Sequence, residues 1–293
     1  MTFLLNADLS AFEKFIEILK AILLGIVEGI TEWLPVSSTG HMILLDELIS
    51  LRVSDGFREM LLVVIQLGAI LAVPVLFWDR LVPFSRKKSD AEKKRIYSLW
   101  LKVIVGVIPA AVLGFLLDDF LDAHLYNFVT VAIALAVYGV AFILVERLKK
   151  GSAPRIDSVY DLTYRDALTI GAFQCLSLIP GTSRSGSTIL GGLLTGVSRT
   201  AASEFSFFMA IPVMLGASGL KAVKFFLEGG SLTSFELLIL LVGIAVSFLV
   251  SLLAIRFLMD FVKRHSFAPF GVYRIILGVL VLGYFLIELS SRG

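Results

Sequence analysis

The chain has 293 residues, of which 57 % are hydrophobic and 17 % are charged, and its formal net charge is +2. This composition lies outside the range of soluble domains and indicates an integral membrane protein. The small net charge gives no reason to expect a nucleic-acid partner. The single cysteine, Cys175, excludes an intramolecular disulfide and a cysteine-rich metal site.

Six stretches are apolar enough and long enough to cross a bilayer, which takes about 20 residues in a helix. They lie at 60–78, 98–117, 125–146, 203–226, 235–258 and 268–289. Basic residues concentrate in three of the connections, at 79–97, 147–165 and 256–265. Positively charged loops stay on the cytoplasmic side, so we expect these three connections there and the acidic or neutral connections on the opposite side.

Two further segments, at about 11–50 and 166–200, are apolar but are interrupted by clusters of proline, glycine, serine and threonine. Irregular backbone at membrane depth is tolerated only where protein or a water-filled cavity surrounds it. We therefore expect two re-entrant helix pairs, the first entering from the outer side and the second from the cytoplasmic side. The predicted fold is an all-α integral membrane protein with about six transmembrane helices and two re-entrant helix pairs.

The two interrupted segments are similar to each other in sequence. When they are aligned, Glu28 falls on Gln174, and after a gap of one residue Ser38 falls on Ser183. Because the segments enter from opposite sides, this similarity predicts an inverted-topology repeat. Such repeats place their site near the middle of the membrane, between the two halves. The two polar interruptions are therefore expected to converge.

The repeat gives the predicted domain organisation. We expect a single membrane domain covering residues 1–293, in which the first repeat occupies approximately 11–146 and the second approximately 160–289.

Glu28 and Glu32 lie four residues apart in an apolar stretch of the first segment, so their side chains project from one face of a helix. An ionisable residue within the membrane is a functional hypothesis by default. A carboxylate pair suits a divalent cation, with both residues as metal ligands, or a shared proton. A role in helix packing or capping is the alternative.

Hydroxyls and an imidazole follow the first interruption, at Ser37, Ser38, Thr39 and His41. Free N–H groups at the start of a helix form an anion site, and histidine titrates near neutral pH. We predict Ser38 as the nucleophile, His41 as its base or as the acid for the leaving group, and Ser37 and Thr39 as substrate ligands. Direct attack by water activated by His41 or Glu32 would use the same residues, and a simple helix cap is the alternative without catalysis.

The second interruption, at 180–188, places Arg184 in a turn of glycine and hydroxyl residues. The planar guanidinium group matches phosphate with two parallel N–H groups. Neighbouring hydroxyls and amides are predicted to bind the remaining oxygens. These substrate-binding candidates are Thr182, Ser183, Ser185 and Gly186. The alternative is a structural ion pair between Arg184 and either Glu28 or Glu32.

The motifs GIVEGITEWLPVSSTGH at 25–41 and PGTSRSG at 180–186 closely resemble those of the bacterial undecaprenyl-diphosphate phosphatases, the bacitracin-resistance family. The resemblance implies hydrolysis of undecaprenyl diphosphate to undecaprenyl phosphate and inorganic phosphate. That reaction recycles the lipid carrier of peptidoglycan synthesis and confers resistance to bacitracin. The resemblance also implies a bacterial inner-membrane location, a site open to the outer face, and a divalent cation, Mg²⁺ or Ca²⁺.

The same resemblance implies which residues do the chemistry. The functional core of that family matches Glu28, Glu32, Ser38, His41 and Arg184, with the neighbouring hydroxyls in support. The expected partners are a polyprenyl diphosphate lipid and the membrane lipids, and the formation of a homodimer stays open. The main alternative is a transporter or flippase of a lipid phosphate or a small anion, because inverted repeats and broken helices are transporter architecture.

Overall fold

The computed structural model describes residues 9–85, 87–125 and 127–292, and within these ranges it is α-helical without a β-strand. The α-helices are α1 Ala11–Thr31, α2 Ser38–Ile49, α3 Asp55–Val64, α4 Gln66–Leu76, α5 Trp78–Leu81, α6 Asp90–Leu125, α7 Phe128–Leu148, α8 Tyr164–Cys175, α9 Arg184–Leu194, α10 Arg199–Leu227, α11 Ser234–Arg264 and α12 Ala268–Arg292. The predicted all-α class is confirmed.

The six predicted spans are confirmed in the described part of the chain, which makes this a multi-pass membrane protein. The helical segments long and apolar enough to cross a bilayer are Asp55–Leu76, Asp90–Leu117, Phe128–Leu148, Arg199–Leu227, Ser234–Arg264 and Ala268–Ile287. Some helices extend beyond the apolar stretch because polar residues cap them. The helix α6 begins at Asp90 because Ser89 and Glu92 form reciprocal hydrogen bonds that satisfy its first N–H groups.

The two interrupted segments form helix pairs, α1 with α2 and α8 with α9. The chain is irregular between Glu32 and Ser37, around Pro35. After α8 a single 3₁₀ turn and a second irregular stretch around Pro180 precede α9. The predicted helix breaks are thus confirmed, whereas the re-entrant insertion of the pairs into the membrane stays a prediction.

Helices of the two halves of the chain pack against each other. The helix α1 lies along α11, α8 lies along α6, and α7 lies along α12. Gly29 shows how closely they approach, because a Cβ atom there would lie 2.8 Å from the carbonyl oxygen of Ser247 in α11. Small residues let membrane helices pack in this way. The first helix of each interrupted segment is therefore held by the opposite half.

The main hydrophobic core lies next to the two helix breaks and includes Trp33 of the first break. Trp33 is fully buried and packs its ring edge-on against Phe207, with ring centroids 5.1 Å apart. Phe205 and Phe208 are buried in the same cluster. Large apolar side chains such as Phe115 and Leu253 are instead exposed on the outer helix faces, where lipid would cover them. The breaks are thus set against rigid packing rather than against the lipid-facing surface.

Candidate functional site

The two helix breaks share an unusual backbone conformation. Ser37 has φ 74° and Ser183 has φ 71°, a region that residues other than glycine rarely adopt. Each serine caps the helix that follows it: the amide of Gly40 donates to Ser37 Oγ at 3.3 Å, and the amide of Gly186 donates to Ser183 Oγ at 3.1 Å. Such caps stabilise a helix N-terminus. The two turns are therefore built in the same way.

This geometry corrects the sequence alignment of the two segments. The alignment of Ser38 with Ser183 is wrong, because the residue equivalent to Ser183 in backbone conformation and capping is Ser37. The two capping serines lie 146 residues apart, as Glu28 and Gln174 do, so the alignment needs no gap. Ser38 then corresponds to Arg184. The nucleophile candidate and the anion-binding candidate occupy equivalent positions in the two turns.

An ion pair between Glu32 and Arg184 joins the two turns. Arg184 Nη2 donates to Glu32 Oε1 at 2.7 Å, and Nη1 donates to the carbonyl oxygen of Ser206 at 2.8 Å. The two side chains are only 11 % and 6 % exposed for Arg184 and Glu32. The guanidinium carbon lies 5.8 Å from the centroid of the Trp33 ring. The predicted convergence is confirmed for these residues, and the ion pair considered as the structural alternative is present.

Glu32 uses its other oxygen to bind the nucleophile candidate. Ser38 Oγ donates to Glu32 Oε2 at 2.8 Å. His41 makes other contacts, because its Nδ1 lies 2.7 Å from the carbonyl oxygen of Ser37 and its Nε2 lies 2.6 Å from the hydroxyl of Tyr273; its predicted role as base or as leaving-group acid stays a prediction. Glu32, rather than His41, is therefore placed to accept the proton of Ser38.

Thr182 supports its own turn. Its Oγ1 lies 2.8 Å from the carbonyl oxygen of Leu176 and 2.7 Å from that of Ile179. Its amide also donates to Ile179, at 3.2 Å. These contacts fold the chain back between α8 and α9. The role of Thr182 as a substrate ligand stays a prediction, and the contacts that we observe are structural.

The remaining substrate-binding candidates lie on the two turns. Ser185 reaches across to the first turn, where its Oγ donates to the carbonyl oxygen of Leu34 at 3.4 Å. Its Oγ also lies 3.1 Å from Ser183 Oγ. Thr39 is half-buried in the first turn of α2, and Gly186 occupies the first turn of α9. The structure thus places the hydroxyls of both turns in one region.

Glu28 is buried, and within the described part of the chain its Oε1 has no hydrogen-bond partner. Leaving such an oxygen unpaired is costly, so a ligand there would stabilise it. Mg²⁺ commonly binds one or two carboxylates together with phosphate oxygens. Glu28 and Glu32 fit that pattern. Since the described residues contain no group of three or more histidine, cysteine or acidic residues able to hold a metal, substrate oxygens would complete the ligand set.

The helix α12 contributes residues that sequence reasoning missed. Arg274 is fully buried, and its Nη2 donates to the carbonyl oxygens of Gly181 and Thr182, at 2.9 Å each. Its Nη1 donates to the carbonyl oxygen of Pro35 at 3.2 Å. Arg274 therefore fastens both turns to α12. The sequence did hold a signal, because an arginine inside an apolar span is a functional hypothesis by default.

Comparison with known proteins gives one consistent family. The model of the family described as bacitracin resistance protein BacA matches residues 21–280. An undecaprenyl-diphosphatase of Enterococcus faecalis is 56 % identical over 272 residues, which cover 93 % of this chain and 99 % of that protein. A protein of the same name from Streptococcus thermophilus is 54 % identical over 277 residues, 94 % of this chain and 96 % of that protein. Another, from Acetivibrio thermocellus, is 56 % identical over 271 residues, 92 % of this chain and 98 % of that protein.

Proposed function

The chain belongs to the family of the bacitracin resistance protein BacA, and we propose that it hydrolyses undecaprenyl diphosphate to undecaprenyl phosphate and inorganic phosphate. The reaction recycles the lipid carrier of peptidoglycan synthesis and confers resistance to bacitracin. The observation that carries this proposal is the contact of Arg184 with Glu32 at 2.7 Å. It brings the anion-binding turn against the turn that holds the nucleophile candidate.

The diphosphate is bound where α2 and α9 begin. Helix N-termini bind phosphate through their free N–H groups, and both of these helices start within the two turns. Arg184 Nε is buried and, in the described part of the chain, has no hydrogen-bond partner, so one guanidinium donor is left for a phosphate oxygen. Arg274 adds a second buried positive charge, whose hydrogen-bond partners here are carbonyl oxygens rather than carboxylates.

Ser38 is the nucleophile in the route that we propose. Its Oγ attacks the terminal phosphorus, its proton passes to Glu32, and undecaprenyl phosphate leaves; water then hydrolyses the phosphoserine to release inorganic phosphate. The hydrogen bond from Ser38 to Glu32 supports this route. His41 serves as the acid for the leaving group. Phosphate found on Ser38 after rapid quenching would support this route, whereas turnover without it would favour direct attack by water.

A divalent cation, Mg²⁺ or Ca²⁺, would be held by Glu28 and Glu32 together with phosphate oxygens. When bound, such an ion neutralises the charge that develops on the transferred phosphoryl group. The unpaired buried Oε1 of Glu28 supports this assignment. Because both oxygens of Glu32 already accept hydrogen bonds, Glu28 is the ligand with an oxygen to spare.

The enzyme lies in the bacterial inner membrane, and its site opens to the outer face. The basic connections 79–97, 147–165 and 256–265 support the orientation of the chain, because positive loops stay in the cytoplasm, and the family resemblance favours a site open to the outer face. The inverted repeat, of approximately 11–146 and 160–289, is supported by the packing of α1 on α11 and of α8 on α6. These are equivalent pairs if the two halves are related by a two-fold axis in the membrane plane. The homodimer stays a prediction.

The test is phosphate release from undecaprenyl diphosphate by the purified protein in detergent, with and without EDTA. We expect release that EDTA abolishes and that excess Mg²⁺ or Ca²⁺ restores. Ser38→Ala should lose most of this activity while it still binds the lipid. A protein that binds or moves the lipid but releases no phosphate with any cation would overturn the proposal and favour the transporter alternative.

A further inference from the structure

Both ring nitrogens of His41 are occupied by protein groups. Nδ1 lies 2.7 Å from the carbonyl oxygen of Ser37, and Nε2 lies 2.6 Å from the hydroxyl oxygen of Tyr273. The two rings are nearly parallel, with an interplanar angle of 3° and centroids 5.6 Å apart. A proton that His41 gives or takes in this arrangement therefore has to pass through one of these two partners.

The chemistry of the partners identifies which one. A carbonyl oxygen only accepts hydrogen bonds, so Nδ1 of His41 carries a proton and donates a hydrogen bond to the carbonyl oxygen of Ser37. In the neutral imidazole Nε2 is then an acceptor, and the hydroxyl of Tyr273 donates to it. When His41 holds a second proton, on Nε2, the direction reverses and Tyr273 Oη becomes the acceptor. The hydrogen of the phenol is then free to point elsewhere.

The surroundings of the ring favour proton transfer through Tyr273 rather than through Ser37. Ser37 is completely buried, whereas Tyr273 is 45 % exposed. The next residue, Arg274, is bound to the carbonyl oxygens of Pro35 and Gly181, so α12 is anchored to both turns. The position of the Tyr273 hydroxyl is therefore set by the site and is not that of a loose surface side chain.

We propose that Tyr273 is the proton-relay and positioning residue of His41. The Nε2 proton of protonated His41 moves to Tyr273 Oη, while the phenol's own proton passes to the oxygen of the leaving phosphate. The step ends with a neutral imidazole, a neutral phenol and a protonated leaving group, so charge and protons balance. This inference rests on the proposed hydrolysis and adds a residue of α12 to it.

The first test separates the hydroxyl from the ring. Tyr273→Phe keeps the stacked ring and removes only the hydroxyl, whereas Tyr273→Leu removes both. We expect Tyr273→Phe to lower kcat for phosphate release by at least about tenfold, the effect of one strong hydrogen bond, and by no more than the loss of His41 itself, with KM little changed. Tyr284→Phe is the matched control, because Tyr284 lies on the same helix and packs edge-on against Phe285. It should retain wild-type activity.

The second test asks whether Tyr273 acts through His41. We expect His41→Gln to lower kcat about 100-fold, as is usual for a general acid, and adding Tyr273→Phe to this variant should cause no further loss. Independent losses would multiply. Wild-type kcat in Tyr273→Phe, with a defect only in Tyr273→Leu, would show that packing alone matters and would overturn the relay. So would multiplied losses in the double variant. Wild-type protein that releases no phosphate would overturn the proposed hydrolysis itself, which is a separate result.

Discussion

The first and second turns of this protein have the same backbone and different chemistry. Both have a serine at positive φ that caps the following helix, at Ser37 and Ser183. In the next position the first turn carries Ser38 and the second carries Arg184. The same turn geometry therefore occurs twice in the chain, with a hydroxyl side chain after the capping serine in one copy and a guanidinium in the other.

The difference extends into the preceding helices. Glu28 in α1 corresponds to Gln174 in α8, and Glu32 corresponds to Leu178. Glu28 and Glu32 thus lie in the first half, and Arg184, which pairs with Glu32, lies in the second. We infer that the first turn holds the nucleophile and the metal, and that the second turn binds the phosphate. The substitutions below test this division, beginning with the largest expected effect.

Removing the arginine of the second turn should have the largest effect. Arg184→Ala eliminates the guanidinium donors and leaves Glu32 as a buried carboxylate without its cation. We expect phosphate release to fall about 1000-fold, as for the loss of a strong electrostatic contact to a transition state. Arg95→Ala is the control, because Arg95 pairs with Asp161 where both side chains are well exposed. An activity within tenfold of wild type in Arg184→Ala would contradict the assigned role.

Replacing Glu28 by glutamine, the residue at the equivalent position 174 of α8, tests whether Glu28 is a metal ligand. Glu28→Gln keeps the size of the side chain and removes its charge. We expect about 100-fold weaker binding of the activating cation, seen as a higher Mg²⁺ concentration for half-maximal phosphate release. The matched change Gln174→Glu should leave the cation requirement of the enzyme as it is. An unchanged Mg²⁺ dependence in Glu28→Gln would exclude Glu28 as a ligand.

The two capping serines should respond alike. Ser37→Ala and Ser183→Ala each remove a cap and keep a Cβ atom at positive φ, so we expect each to lower the free energy of unfolding by about 1 kcal/mol. Ser37→Gly and Ser183→Gly should cost only a few tenths, because glycine tolerates this backbone. Thermal unfolding in detergent would measure both pairs. If the alanine variant of one serine were as stable as its glycine variant, while the other serine behaved as expected, the two turns would not be structurally equivalent.

The smallest effect is expected at Gln174. In the described part of the chain both of its side-chain polar atoms are buried without a hydrogen-bond partner. Replacing an unpaired buried polar group by an apolar one of similar size is close to neutral or stabilising. We therefore expect Gln174→Leu to keep its thermal stability and to retain phosphate release within about twofold. A large loss of activity with normal stability would instead place Gln174 in contact with the substrate.

Much of this architecture could be predicted from the sequence because its signals are local. Apolar runs of the right length identify the spans, and Pro35 and Pro180 within polar clusters identify the helix breaks. The acids and the arginine were found because charge inside an apolar segment is costly. The alignment is off by one residue at the turns because Pro35 and Pro180 are equally prominent landmarks in the sequence but lie 145 residues apart, whereas the shared backbone geometry belongs to Ser37 and Ser183.

The contacts made by α12 could not be predicted in the same way. Tyr273 and Arg274 lie more than 230 residues from the first turn along the chain, and no local pattern specifies which helix covers a turn. The hydrogen-bond partner of Ser38 could not be predicted from the sequence either. Both His41 and Glu32 are close to Ser38 along the chain. Only the folded structure shows that His41 contacts Ser37 and Tyr273.

The most direct test of the central claim, that the two turns form one site, is a double-mutant cycle on Glu32 and Arg184. Phosphate release from undecaprenyl diphosphate would be measured for Glu32→Gln, Arg184→Gln and the double variant. Residues that act as a unit show strongly non-additive losses, so we expect the double variant to be no more than about tenfold slower than the slower single variant. Losses that multiply would show that the two turns act independently and would contradict the account.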